Sequence, residues 1–515
     1  MKKGKTIKRF SSYSGFEIKE VYSKEDLPNN KTSNLEKDSK LNSWDFHQST
    51  SAGNPEKINS ELLFLTKHGH TSLSLDFDEP TLLGNDSDDL KSRELVGKTG
   101  VPIDTIEDLE IVLQNIPIEK LSITLESDYT APILYAMFIL ISEKRKIPLK
   151  KLRGSVRNDI LNGVISNQKL LFPLQHSLKL LTDTVEFITK TTPSFCAINT
   201  QGTRAIYPEI TATQEIAFSL SKTETYINSC IAHGLDIDDF SDKISFTFHT
   251  KSDFFEEIAK YRAARNLWHK LISTNLQAKE EKSKFINFNA KCEPINLVST
   301  QLENNLVRIA FQVMASSYGG ANSITCGSFD KHFSKFNENN LLLAIRTQQI
   351  LLEETGLSNS ENIFSGSYFV ENLTQKISNE VMTLSEEINS NGGIIFCIEK
   401  GILQKWSLKS RMNLKNKIKA GEHVILGLNK YLEESEEKKS FPIHPNQKET
   451  EKTQIKRLVK IKNDRDPTQV TEGLEKLEKS AKSNENLIPS IMHAIKLHAT
   501  IGEIVTSLKK IWGNK

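Results

Sequence analysis

From about Glu61 to Tyr431 the chain alternates short apolar runs with longer helical patterns, and this alternation limits the folds open to it. The runs SLSLDF, LSITLE, FCAINT, ISFTFHT and GIIFCI are of strand length. Between them lie stretches of helical character, among them APILYAMFILISEKRK, ATQEIAFSLSKTETYINSCIAHG and DFFEEIAKYRAARNLWHKLI. Strands that alternate with helices pair in parallel, because each helix returns the chain to the same end of the sheet. The pattern predicts an α/β barrel or a doubly wound sheet over residues 61–431. No GxGxxG or GxxxxGK[ST] stands at a strand-to-helix turn, so a phosphate-cradling loop of either kind is not expected.

The flanks have a different texture. Residues 1–60 are polar and rich in Lys, Asn and Ser, which predicts a partly disordered N-terminal arm. Residues 432–455 are charged and carry two prolines, as a linker would. Residues 456–515 read as three amphipathic helices, in IKRLVKIKNDRD, QVTEGLEKLEKSAK and LIPSIMHAIKLHATIGEIVTSLKKIWG.

A chain of 515 residues can hold one large barrel with appendages or roughly three to four ordinary domains. Its formal net charge of +2 argues against a nucleic-acid footprint, which needs a clustered basic face. The five cysteines are scattered and form no CxxC, so neither a zinc knuckle nor a disulfide framework is expected. Such a set suits a reducing cytoplasm. The basic start MKKGKTIKRFSSYSG lacks the apolar core of a signal peptide, and no apolar run reaches the roughly 18 residues that span a bilayer. A soluble, cytoplasmic protein is expected.

Several stretches resemble the catalytic-barrel region of the methylmalonyl-CoA mutase family. They include GHTSLSLDFDEPTLLGNDSDD (Gly69–Asp89), VGKTGVPIDTIEDLE (Val96–Glu110), LRGSVRNDIL (Leu152–Leu161) and IAKYRAARNLW (Ile258–Trp268). SSYGGANSITCGSFD (Ser316–Asp330), RTQQILLEETG (Arg346–Gly356), SGSYFVENLT (Ser365–Thr374), GEHVILGLNKY (Gly421–Tyr431) and the last helical stretch follow in family order. The resemblance implies a TIM-type (β/α)8 barrel around an acyl-CoA, with adenosylcobalamin supplying the radical. In the family the cobalamin lies on a separate flavodoxin-like domain with a D-x-H-x-x-G signature.

The parts of that machinery are missing one after another. The triplets Asp45-Phe46-His47 and Asp330-Lys331-His332 both lack the following glycine, so no metal ligand is expected from either. The sequence stops where the family's cobalamin domain would start, so any adenosylcobalamin is expected on another chain. The family's Gly-Tyr-His, whose histidine holds the thioester carbonyl, falls on Gly202, Thr203 and Arg204, and no histidine occurs between His176 and His233. The arginine that clamps the substrate carboxylate falls on Asn167, with Arg157 nearby as a possible substitute. In NFNAKCEPIN, the family's arginine, histidine and glycine fall on Asn287, Asn289 and Pro294. The N-terminal tyrosine and arginine block of the family has no counterpart.

Other family positions are kept: Asp76, Asp78, Pro80, Gly84, Asp86, Asp88, Gly319, Gly320, Asp330, Glu371 and Gly427. Most suit turns and helix caps that shape a barrel. By resemblance, Glu371 and the nearby Asn322 are the candidates for contact with an adenosyl group. The implied role is a small (beta), non-catalytic subunit that pairs with a catalytic methylmalonyl-CoA mutase chain as a heterodimer. The alternative is the large subunit of a split acyl-CoA mutase that borrows a separate cobalamin-binding protein. A free-standing binder of CoA esters ranks behind both, because the CoA clamps are gone.

Overall fold

The computed structural model describes residues 10–12, 14–19, 21–27, 43–165, 170–202, 210–292, 301–330, 337–359, 362–432 and 447–513. At its centre is a ring of parallel strands: β1 (Asp45–Ser49), β2 (Ser72–Asp76), β3 (Ser122–Glu126) and β4 (Arg153–Val156), then β5 in two pieces (Phe195–Cys196 and Ile198–Gln201). β6 (Ile244–His249), β7 (Asn287–Cys292) and β8 (Ser323–Cys326) complete it. Each strand pairs with its sequence neighbours, and β8 returns to β1 through Ser323↔Asp45. β5 is interrupted at Ala197: its first piece pairs with β4 through Gly154↔Phe195, its second with β6 through Ile198↔Ile244. Both pieces belong to one extended stretch, so the ring closes as a (β/α)8 barrel.

Each strand leads to a principal outer helix, with short extra helical turns after some strands: α1 (Pro55–Lys67), α2 (Ile106–Val112), α3 (Ala131–Lys144), α4 (Leu174–Thr191), α5 (Ala212–Ala232), α6 (Phe254–Lys270), α7 (Asn304–Tyr318) and α8 (Glu338–Glu353). Several starts are written as N-caps. Asn54 accepts the Lys57 amide ahead of Pro55, and Thr211 forms a reciprocal capping box with Gln214. Beyond the ring come α9 (Tyr368–Ser390), α10 (Gly393–Glu399) and α11 (Ile402–Lys419), then α12 (Gln447–Asp464), α13 (Pro467–Ala481), α14 (Ile488–Lys496) and α15 (Ile501–Trp512). Among the described residues no helix is long and apolar enough to cross a membrane. All five cysteines are buried free thiols.

The structure moves several expected boundaries. β1 and the start of α1 lie inside the stretch 1–60 read as an arm, because DFHQS, polar as it is, forms a strand buried from Phe46 to Ser49. GIIFCI, expected as a strand, is helix α10: short apolar runs suit a buried helix equally, and the ring is already closed by β8. α12 starts at Gln447, inside the expected linker 432–455. The final amphipathic stretch is two helices, broken where His498 takes a left-handed φ of 62° and Thr500 caps the next helix.

The C-terminal helices are welded to the barrel. Gln454 donates to Asp104 at 2.8 Å and Arg457 to Asp108 at 3.1 Å. Lys462 reaches Asp86 at 3.0 Å and Asp88 at 2.9 Å. α14 packs on α3, which explains why α3 is buried from Ala131 to Ser142 on every side.

Candidate functional site

The direction of the strand side chains follows from their ring contacts. Phe246 and Phe248 of β6 meet Trp268 and Tyr261 of α6, with centroids 5.3 and 6.3 Å apart. Phe195 of β5 meets Tyr135 and Phe138 of α3 at 5.4 and 5.9 Å. These aromatic residues face the helices, so the residues that alternate with them face the barrel axis. That inner set is Ser72, Ser74, Thr124, Ser155, Thr247 and Thr325, with Asn and His between.

An ordinary barrel of this type fills its axis with layers of Val, Ile and Leu. Small hydroxyl side chains cannot fill the same space, and they satisfy one another around the wall instead. Thr124 and Ser155 are 3.1 Å apart, Asn199 donates to Ser245 at 2.9 Å, and Thr247 donates to Asn199 at 3.0 Å. The His47 ring nitrogen Nδ1 lies 2.6 Å from the Ser72 hydroxyl. The result is a polar axis suited to an extended, hydrogen-bonding ligand arm. Sequence reasoning missed it, although the period-two signal stood in SLSLD and SITLE.

Asn289, which holds a family histidine's place, lies on this inner wall. It donates to Thr325 at 2.9 Å and accepts from Ser323 at 3.0 Å. Its amide hydrogen-bonds but does not ionise at neutral pH, so it cannot serve as an acid or a base. Asn287 opens β7 at the N-terminal end and is exposed. Thr203, Arg204, Asn167 and Pro294 lie outside the described residues. Gly202 is described, and a Cβ there would come within 2.7 Å of the Glu215 backbone carbonyl oxygen.

Towards the C-terminal mouth, where barrels of this type bind and react, three buried cations, Arg157, Lys222 and Lys260, are engaged by carboxylates of the chain itself. Arg157 is buried, donates through Nε to Asp128 at 2.8 Å and pairs through Nη1 with Glu126. Its remaining nitrogen donates to the Glu126 carbonyl at 3.1 Å. Burial alone would lower the Arg157 pKa, but the Asp128 and Glu126 charges hold it above the usual range. Lys222 pairs with Asp159 at 2.6 Å, both fully buried. Lys260 lies between Glu257 and Glu215, the latter at 3.2 Å. Burial pushes the Glu215 carboxyl up, yet Lys260 and His249 outweigh it and hold it at about 2.

The expected adenosyl contacts are not brought together. Glu371 lies in the outer helical layer on α9, where Arg262 donates to it at 2.6 Å and the Gly366 amide at 3.1 Å. Its carboxylate neutralises a buried guanidinium. Asn322 precedes β8, at the N-terminal end of the ring, and accepts the Phe288 amide at 2.9 Å. It fixes strand register there. The kept aspartates do structural work. Asp78 caps the helix Glu79–Leu83 and accepts the Gly97 amide at 2.8 Å. Asp86 accepts from Thr500 and from the Gly502 amide, each at 2.8 Å.

The profile described as Methylmalonyl-CoA mutase matches residues 11–514. The chain belongs to the methylmalonyl-CoA mutase family. It is 33% identical over 471 residues to the 2-hydroxyisobutanoyl-CoA mutase large subunit of Aquincola tertiaricarbonis, covering 91% of this chain and 84% of that one. It is 30% identical to the methylmalonyl-CoA mutase of Cereibacter sphaeroides, covering 91% of this chain and 66% of that one. The mitochondrial methylmalonyl-CoA mutase of Homo sapiens is 32% identical, with 91% and 63% covered. The chain thus spans just under two-thirds of those two mutases.

The methylmalonyl-CoA mutase family is adenosylcobalamin-dependent, and His47 of the first triplet does not fit a cobalt ligand. His47 stands inside a barrel strand with Nδ1 on Ser72, not on a loop ahead of a helix. Lys331 and His332 of the second triplet lie outside the described residues.

Proposed function

We propose that this chain is the small (beta), non-catalytic subunit of a heterodimeric methylmalonyl-CoA mutase. The interconversion of methylmalonyl-CoA and succinyl-CoA then takes place on a catalytic partner chain, which also carries the adenosylcobalamin. The observation that carries this reading is Arg157. It is the described arginine nearest in sequence to Asn167, the place of the family's carboxylate clamp, and its guanidinium is engaged by Glu126 and Asp128. Releasing it for a substrate carboxylate would leave buried acids without their partner, at a cost of about 3–5 kcal/mol.

The test is co-expression with a catalytic mutase chain. A 1:1 complex on size exclusion, with turnover that survives Arg157→Lys in this chain, is the expected result. Absence of any complex, or thioester rearrangement by this chain with adenosylcobalamin alone, overturns the reading.

A second reading, the large subunit of a split acyl-CoA mutase, is favoured by one observation. The relative described as a large subunit is covered over 84% of its length, against 66% for the Cereibacter mutase. Turnover of a branched acyl-CoA after addition of a separate cobalamin-binding protein would select it.

A further inference from the structure

Asp183 and Glu186 stand one helical turn apart on α4, so both carboxylates emerge on one face, and the end of α5 brings His233 to them. One ligand atom from each lies within 4.8 Å of the others. The Asp183 side chain is 0% exposed. Its Oδ2 accepts from Lys179 at 2.8 Å and from the Leu487 amide at 3.1 Å, whereas its Oδ1 has no hydrogen bond. A buried carboxylate oxygen without a donor is a rare and costly arrangement.

His233 Nε2 lies 3.7 Å from that side chain's Oδ1, too far for a hydrogen bond. Two ligands on one tetrahedral zinc, with bonds of about 2.0–2.1 Å, stand about 3.3 Å apart. The observed gap is therefore close to that of a shared metal. Glu186 supplies the third position; it also takes Asn486 at 2.8 Å and Lys190 at 2.6 Å. Lys190 is 69% exposed and can turn into solvent.

We propose that Asp183, Glu186 and His233 form a divalent transition-metal site, with zinc as the ion to test. One imidazole and two carboxylates suit zinc, whereas magnesium and calcium favour oxygen ligands throughout. The site joins the middle of α4 to the C-terminal end of α5. Asn486 also donates to the Asp183 carbonyl at 2.8 Å, so a bound metal fastens α4, α5 and the C-terminal extension together. The sequence spacing gave no sign of it, because its parts come from two helices far apart in the chain.

Calorimetric titration of zinc chloride into the untagged, chelator-stripped full chain tests the site. The expected result is one zinc per chain and a raised Tm. His233→Ala changes an exposed side chain, and it weakens zinc binding about tenfold or more and removes the Tm rise. Glu186→Gln acts in the same direction. No zinc binding by the wild-type chain, or binding undiminished in His233→Ala, overturns the proposal.

Discussion

His70 is 3% exposed, and neither ring nitrogen has a hydrogen-bond partner. Burial first, and the neighbouring His47 second, push its pKa down to about 3 from 6.5. The unfolded chain therefore binds a proton at this ring between pH 6.5 and about 3 that the folded chain refuses. Folding stability present above pH 6.5 is lost through this group as pH falls across that window, with a limiting slope of about 1.4 kcal/mol per pH unit. His70→Leu should flatten that part of the curve in urea titrations run at a series of pH values. Lys222 gives a second prediction at this scale. Asp159 accepts from Lys222 at 2.6 Å, Tyr226 at 2.7 Å and the Gln201 amide at 3.0 Å, all buried. Lys222→Met removes the compensating charge and should cost about 3–5 kcal/mol by chemical denaturation.

At the scale of elements, the strand-and-helix alternation narrowed the fold to a barrel or a doubly wound sheet, because each unit buries its apolar residues against the next helix, and the family resemblance selected the barrel. What the alternation hid was the other face of the strands. In SITLE the apolar residues drew attention, while Ser122, Thr124 and Glu126 carried the inner wall. The candidate site was less legible still. Arg157 looked available for a ligand, and Glu126 and Asp128, which occupy it, come from the neighbouring strand and its loop. Glu371 looked like a cofactor contact, and its partner Arg262 lies over a hundred residues away in sequence. α15 offers a test of how an element is fixed. Thr500 caps it in a box with Glu503 and also donates to Asp86 at 2.8 Å. Thr500→Ala should cost about 1–3 kcal/mol, and Thr500→Ser should restore most of it, both measured by thermal and urea unfolding.

For the whole molecule, the C-terminal helices are part of the barrel's own support. Asp104 is buried, and burial followed by repulsion from Asp108 pushes its carboxyl up; Gln454 of α12 is one of the groups that relieve it. A protease site engineered into residues 433–446 should therefore yield two fragments that stay together on size exclusion after cleavage. A chain shortened to residues 1–432 should aggregate or unfold, since Asp86, Asp104 and Asp108 lose partners. The two-sidedness of the strands has a further consequence. Phe246 and its like hold the architecture from outside, and Thr247 and its like set what the interior can accommodate, so substitutions inside need not loosen the outer clasp. A lineage can thus change what its barrel holds residue by residue while the barrel itself goes on folding.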